Sequence, residues 1–196
     1  MGGTMTAVPD WMIPPVEGFT AEDLDRLPDL PPHTELLDGS LVLVSPQKYY
    51  HMIAIDLLKD GLRAAAPPDF RVAREMTVTL GKFDRPEPDI MVVRASAVAA
   101  RGQNSTFLPE DVLLAIEVVS PESVRRDRDI KPEKYARAGI PHFWRVEEDQ
   151  RGRPVVYVFE LEPASQTYIG VDVCHNRLKV TEPYSIDIDL TAIDTY

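Results

Sequence analysis

Along this chain, short apolar runs alternate with turn residues, and their periods divide the sequence into helices and strands. Thr20-Ala21-Glu22-Asp23 predicts a short helix with Thr20 as N-cap, ending near Pro28. Residues 35–44 predict two strands around the Asp38-Gly39 turn. Residues 49–65 carry a helical pattern closed by Pro67-Pro68, and 70–80 alternate as a strand. Ile90-Met91-Val92-Val93 follows Pro88-Asp89 as another strand, and an alanine-rich helix fills 95–100. Residues 112–119 are apolar on both faces, as in a central strand covered from both sides. A charged helix over 123–138 stops at Gly139 and Pro141. A hairpin follows, with strands at 143–146 and 155–159, and short strands finish the chain. This order of elements predicts an α/β fold with a mixed sheet.

The length of 196 residues suits one domain. Residues 1–18 contain prolines and little periodicity, which reads as a flexible N-terminal arm ahead of a domain over 19–196. The apolar runs are strand-length, too short to span a bilayer. The first residues lack the basic start and apolar run of a signal peptide, so the cytoplasm is the expected compartment. The single cysteine, Cys174, excludes an intramolecular disulfide and a cysteine-rich zinc site.

The formal net charge of −11 argues against a protein that simply coats nucleic acid. It leaves room for a nuclease, whose metal site needs clustered carboxylates. Residues 125–137 hold six basic and three acidic residues. Arg125, Arg126, Arg128 and Lys134 could therefore contact phosphates, or they could form a solvated helix face of mixed charge.

Glu117 stands out as the sole charge in the run 112–119. Burying an ionised carboxylate without a partner costs several kcal/mol, and a metal ion or cationic side chain removes that cost. A glutamate reaching solvent at a strand end is the plainer alternative. Asp89 opens the neighbouring apolar strand, so the two acids could meet across the sheet; a strand cap is the competing reading. Two such carboxylates suit a hard divalent ion such as Mg²⁺. Glu35 could join them or simply start its strand in solvent. Lys131 lies on one helix face with Asp127 and Tyr135, where a lysine can stabilise charge on a phosphate or merely pair with Asp127. His51 shares its helix face with Ile55, Leu58 and Leu62, which favours a core-boundary histidine over a supporting site residue. Phosphate-binding glycine loops, HExxH and GxSxG motifs are missing from the sequence, and nothing around Cys174-His175 suggests a thiol nucleophile.

Five segments carry a family resemblance: Glu35-Leu36-Leu37-Asp38-Gly39, Pro88-Asp89-Ile90, 116–121 (IEVVSP), 126–131 (RDRDIK) and 135–144 (YARAGIPHFW). Together they resemble the Uma family of restriction endonucleases within the PD-(D/E)xK nuclease superfamily. The resemblance runs from about Phe19 to the C-terminus. It implies a restriction-endonuclease-like core of four mixed strands flanked by helices. It also implies Mg²⁺ or Mn²⁺ held by Asp89, Glu117 and Glu35, with Lys131 as the motif lysine. The usual lysine position, two residues after the glutamate, holds Val119. Tyr135 matches the family pattern as a residue that packs against or orients Lys131.

The implied activity is hydrolysis of nucleic-acid phosphodiesters, with family analogy favouring DNA over RNA. A non-catalytic nucleic-acid-binding module and a hydrolase of another phosphoester are the competing functions. A membrane partner is not expected, and a homodimer is left open.

Overall fold

The structure, a computed structural model, describes residues 9–43, 47–101 and 105–196. The expected arm therefore lies outside the described residues over 1–8, and so does the end of the second hairpin strand at Val44. The expected helix after Thr20 shortens to a single 3-10 turn, Asp23–Asp25. Its start is closed by the Asp23 carboxylate, which accepts from the Thr20 amide and hydroxyl at 2.7 and 2.8 Å.

Strands β1 (Glu35–Leu37) and β2 (Ser40–Val42) pair around Asp38 and Gly39, whose φ values of 49° and 74° make the tight turn. Helix α1 spans Tyr49–Ala65. The strand expected over 70–80 is two strands, β3 (Phe70–Arg74) and β4 (Thr77–Val78). Between them the backbone of Glu75 turns to a φ of 52°, which re-aims the chain. Strand β5 (Ile90–Arg94) leads into α2 (Ala95–Arg101). Strands β6 (Thr106–Phe107) and β7 (Val112–Val118) follow.

The charged helix begins at 124, contains a π turn over Arg126–Ile130, and continues as α3 (Lys131–Arg137). In the π turn the Lys131 amide bonds back five residues to the Arg126 carbonyl. Strands β8 (His142–Glu148), β9 (Pro154–Glu162) and β10 (Thr167–His175) form a meander. A final hairpin joins β11 (Arg177–Val180) to β12 (Ile186–Asp189).

The central sheet has six strands in the order β10-β9-β8-β7-β5-β3, two more than the family resemblance implied. Within this sheet, among the described residues, only β7 and β8 pair in parallel; the helix between them supplies the crossover that parallel pairing requires. On one face of the sheet, Ile55, Leu58 and Leu62 of α1 pack with Leu114, Ile116 and Trp144. On the other, Tyr135 of α3 packs with Met91, Ala115 and Phe143.

Strand β7 is thus buried on both sides, as its composition requires. Simple alternation would place Leu113 beside Ala115. The register slips between Val92 and Val93, so Val112 joins that face instead and Leu113 packs on the α1 side. Among the described residues, no helix is long and apolar enough to cross a membrane.

One buried cation fixes the N-terminal segment to this core. Arg85 donates to Thr77 Oγ1, Ala21 O, Asp25 Oδ1 and Ser105 Oγ at 2.7–3.0 Å. Its backbone also exchanges hydrogen bonds with Leu36. The hairpin that begins with Glu35 is thereby held against residues 85–87.

Candidate active site

The register of β5 against β7 pairs Ile90 with Ile116, which sets Asp89 beside Glu117 where β5 begins and β7 ends. The carboxylate of Asp89 accepts from the Val118 amide at 2.6 Å, locking it to the central strand. Glu35 reaches the same place from β1, where its Oε1 accepts from the Glu87 amide at 2.8 Å. The helix after β7 closes the cluster. Lys131 Nζ lies 2.7 Å from Glu35, 3.0 Å from Glu117 and 3.7 Å from Asp127. Tyr135 donates its hydroxyl to the other oxygen of Glu117 at 2.6 Å.

All four ion-pair partners are buried, with Glu117 only 1% exposed. Glu35 is therefore no solvent-facing strand start. Lys131 is more than a surface lysine paired to Asp127, although that pairing exists within the cluster.

Such a cluster is electrostatically unbalanced. Burial, reinforced by Asp127, Asp89 and Glu35, raises the pKa of Glu117 well above the usual carboxylate range despite the nearby Lys131. Burial also pushes Asp127 up to about 6, against the pull of Lys131 and Ser123. Burial works against a charged Lys131, but the surrounding carboxylates outweigh it and hold its pKa well above the ordinary lysine value. One ammonium thus faces four acids, and surplus negative charge is stored inside the fold only as rising pH takes the protons from Asp127 and Glu117.

This storage has a pH signature. An acid whose folded pKa is raised contributes stability below its unfolded pKa of 3.8 and loses it as pH rises through about 6. Asp127→Asn removes that loss while keeping an oxygen for Ser123. In urea unfolding with EDTA, the variant is expected to gain on wild type between pH 4 and 7, by up to about 3 kcal/mol. A stability gap constant across that range would show that Asp127 ionises without cost.

The cluster opens into a cleft of about 500 Å³, lined also by His51, Glu75, Glu87, Ser120, Ser123 and Arg126. His51 is a boundary residue on α1 that also reaches the site, with Nε2 3.3 Å from Asp89 Oδ2. Burial opposes its protonation, yet the hydrogen bond and charge of Asp89 raise its pKa overall.

The basic residues of the helix separate. Arg128 is paired with Glu147, and Lys134 is held by Asp38 and Asp84 at 2.6 and 2.8 Å, so neither lines the cleft. Arg125 is exposed. Arg126 lines the cleft, and its buried Nε has no hydrogen-bond partner among the described residues.

The sequence pattern marks Asp127 only as an anchor for Lys131 and gives no role to Ser123, which donates to the Asp127 carboxylate. The signal was present. Ser123, Asp127, Lys131 and Tyr135 recur at steps of four, a polar stripe that faces inward rather than to solvent.

The donor set suits a hard divalent ion in kind and in charge, since it offers carboxylate oxygens with negative charge to spare. Among the described residues, no three His, Cys, Asp or Glu side chains stand arranged to hold a metal ion. In the present arrangement the ammonium of Lys131 stands between Glu35 and Glu117.

The fold has a solved counterpart. The crystal structure of a protein described as a "putative nuclease belonging to DUF820", from Anabaena variabilis ATCC 29413, superimposes with a TM-score of 0.66 at 19% identity. The match covers 84% of this chain and 89% of that one. No match emerged among curated proteins. The Uma2 family model, whose description is "Putative restriction endonuclease", matches residues 21–191 and takes in every side chain of the buried cluster. On the strength of that match, and with the nuclease-like fold beneath it, the chain belongs to the Uma2 family.

Proposed function

We propose that this protein is a divalent-metal-dependent endonuclease that hydrolyses nucleic-acid phosphodiesters, DNA in preference to RNA. The observation that carries this reading is the set of carboxylates, the buried Glu117 and Glu35 with the partly buried Asp89, gathered beside Lys131 in an open cleft. Asp89 and Glu117 would hold Mg²⁺ or Mn²⁺, with Glu35 beside them. An ion held there would supply a water of lowered pKa and would shield the phosphate oxygens.

The protein's own side chains do the rest. Tyr135 fixes the orientation of Glu117 through its hydroxyl, and the Val118 amide and His51 fix Asp89. Lys131 offers a positive charge to the phosphate as charge builds there. The working unit in this reading is the domain over 19–196, acting in the cytoplasm, with residues 1–18 as an arm. A second reading, a nuclease fold that binds nucleic acid without cutting it, draws on the commitment of Lys131 to Glu35 and Glu117.

Incubation with plasmid DNA, single-stranded DNA and RNA, in Mg²⁺ or Mn²⁺ and with EDTA, separates the two. Cleavage that EDTA abolishes supports the nuclease. Binding without cleavage under every metal condition would leave only the binding module.

Arg126 is the substrate contact in this reading, because an unpaired buried guanidinium N–H is costly until an acceptor arrives. Arg126→Met is expected to raise KM about tenfold while leaving kcat near the wild-type value. It should also reduce the salt dependence of binding by about one counterion. Unchanged KM and salt slope would remove Arg126 from the substrate path.

A further inference from the structure

We infer that the Lys131 ammonium and the divalent cation are alternative occupants of the same carboxylate cage, so that Lys131 acts as an internal brake on metal binding. The inference rests on the metal-dependent reading above. It adds that the lysine lowers metal affinity, a role separate from any part it plays in turnover.

The geometry points this way. Lys131 Nζ lies 2.7 Å from Glu35 Oε1 and 3.0 Å from Glu117 Oε2, both of them oxygens an ion would need. It also lies 3.7 Å from Asp127. The remaining oxygen of Glu117 is already engaged by Tyr135, and one oxygen of Asp89 by the Val118 amide. A cation that binds through Glu35 Oε1 or Glu117 Oε2 must therefore draw that oxygen from the ammonium or share it.

Electrostatics gives the sign. A lysine held a few ångströms from an incoming divalent ion repels it, and the carboxylates it neutralises attract the ion less. Removing its charge should strengthen metal binding even though the same lysine supports catalysis. A lysine that only assists the reaction predicts unchanged affinity. A lysine that organises the ligands predicts weaker affinity.

The test is calorimetric titration of Mn²⁺ into wild type, Lys131→Met and Lys131→Gln without nucleic acid. Lys59→Met serves as the control, because it makes the same charge change beside Asp56, outside the cleft. Both Lys131 variants are expected to bind Mn²⁺ about tenfold more tightly or better, with the control unchanged. Should a Lys131 variant be unfolded without metal, its affinity is read from the Mn²⁺ concentration that restores its circular dichroism. Equal or weaker binding by both Lys131 variants overturns the brake while leaving the nuclease reading intact. An equal gain in the control also overturns it, since the effect would then be general charge. Failure of wild type and variants alike to bind Mn²⁺ overturns both the brake and the metal-dependent function.

Discussion

Lys131→Met is expected to lower the stability of the metal-free protein by about 3–5 kcal/mol near neutral pH, because it strips a buried cation from charged partners. Lys131 is 4% exposed and touches three carboxylates that are as deeply buried. Methionine fills similar volume, so the loss is electrostatic rather than a cavity. The deficit should narrow on acidification. Glu117 and Asp127 have raised pKa values and take up protons readily once the ammonium is gone. Urea unfolding in EDTA from pH 4.5 to 8 measures this. A deficit that stays the same at every pH would mean that the lysine contributes by packing alone.

The second large effect concerns turnover. Asp89→Asn and Glu117→Gln should each reduce cleavage about a thousandfold or more, corresponding to roughly 4 kcal/mol of lost transition-state stabilisation. The two variants should fold. Asparagine still accepts from the Val118 amide, and glutamine still accepts from Tyr135. Neutralising Glu117 also removes one member of a crowded cluster, so its variant should unfold no more easily than wild type. Full cleavage by either variant would relocate the active site.

Much of this site could be read from the sequence because its elements carry contrast. Glu117 is the single charge in a doubly buried strand, and Asp38-Gly39 marks the hairpin that brings in Glu35. Helix α1 follows the pattern over 49–65 because its inward face is continuously apolar. Other features lacked contrast. The polar stripe from Ser123 to Tyr135 looks like any charged helix until the sheet face beneath it is known. The break at Glu75 requires a positive φ at a residue that gives no hint of one. Strand β9 shows its pairing with β8 as a hairpin, but the joins of β3 to β5, β5 to β7 and β7 to β8 span longer separations and leave little local trace. The register slip between Val92 and Val93 is likewise a property of two strands together.

The π turn over Arg126–Ile130 sets how this protein can tolerate insertion and deletion. Its five-residue bond from Lys131 to Arg126 holds one residue more than a regular helix would over the same turn. Deleting a single residue there, such as the exposed Arg128, would let the helix close regularly and would strengthen it locally. Because the π turn spreads the extra residue over nearly the same rotation, Lys131 and Tyr135 would keep their facing, whereas a deletion between them within α3 would rotate Tyr135 by about 100° and carry it off Glu117. The sheet beneath would remain, along with the crossover that joins β7 to β8. A relative lacking that one residue of the π turn would thus keep the fold together with its cage of acids and the lysine that balances it.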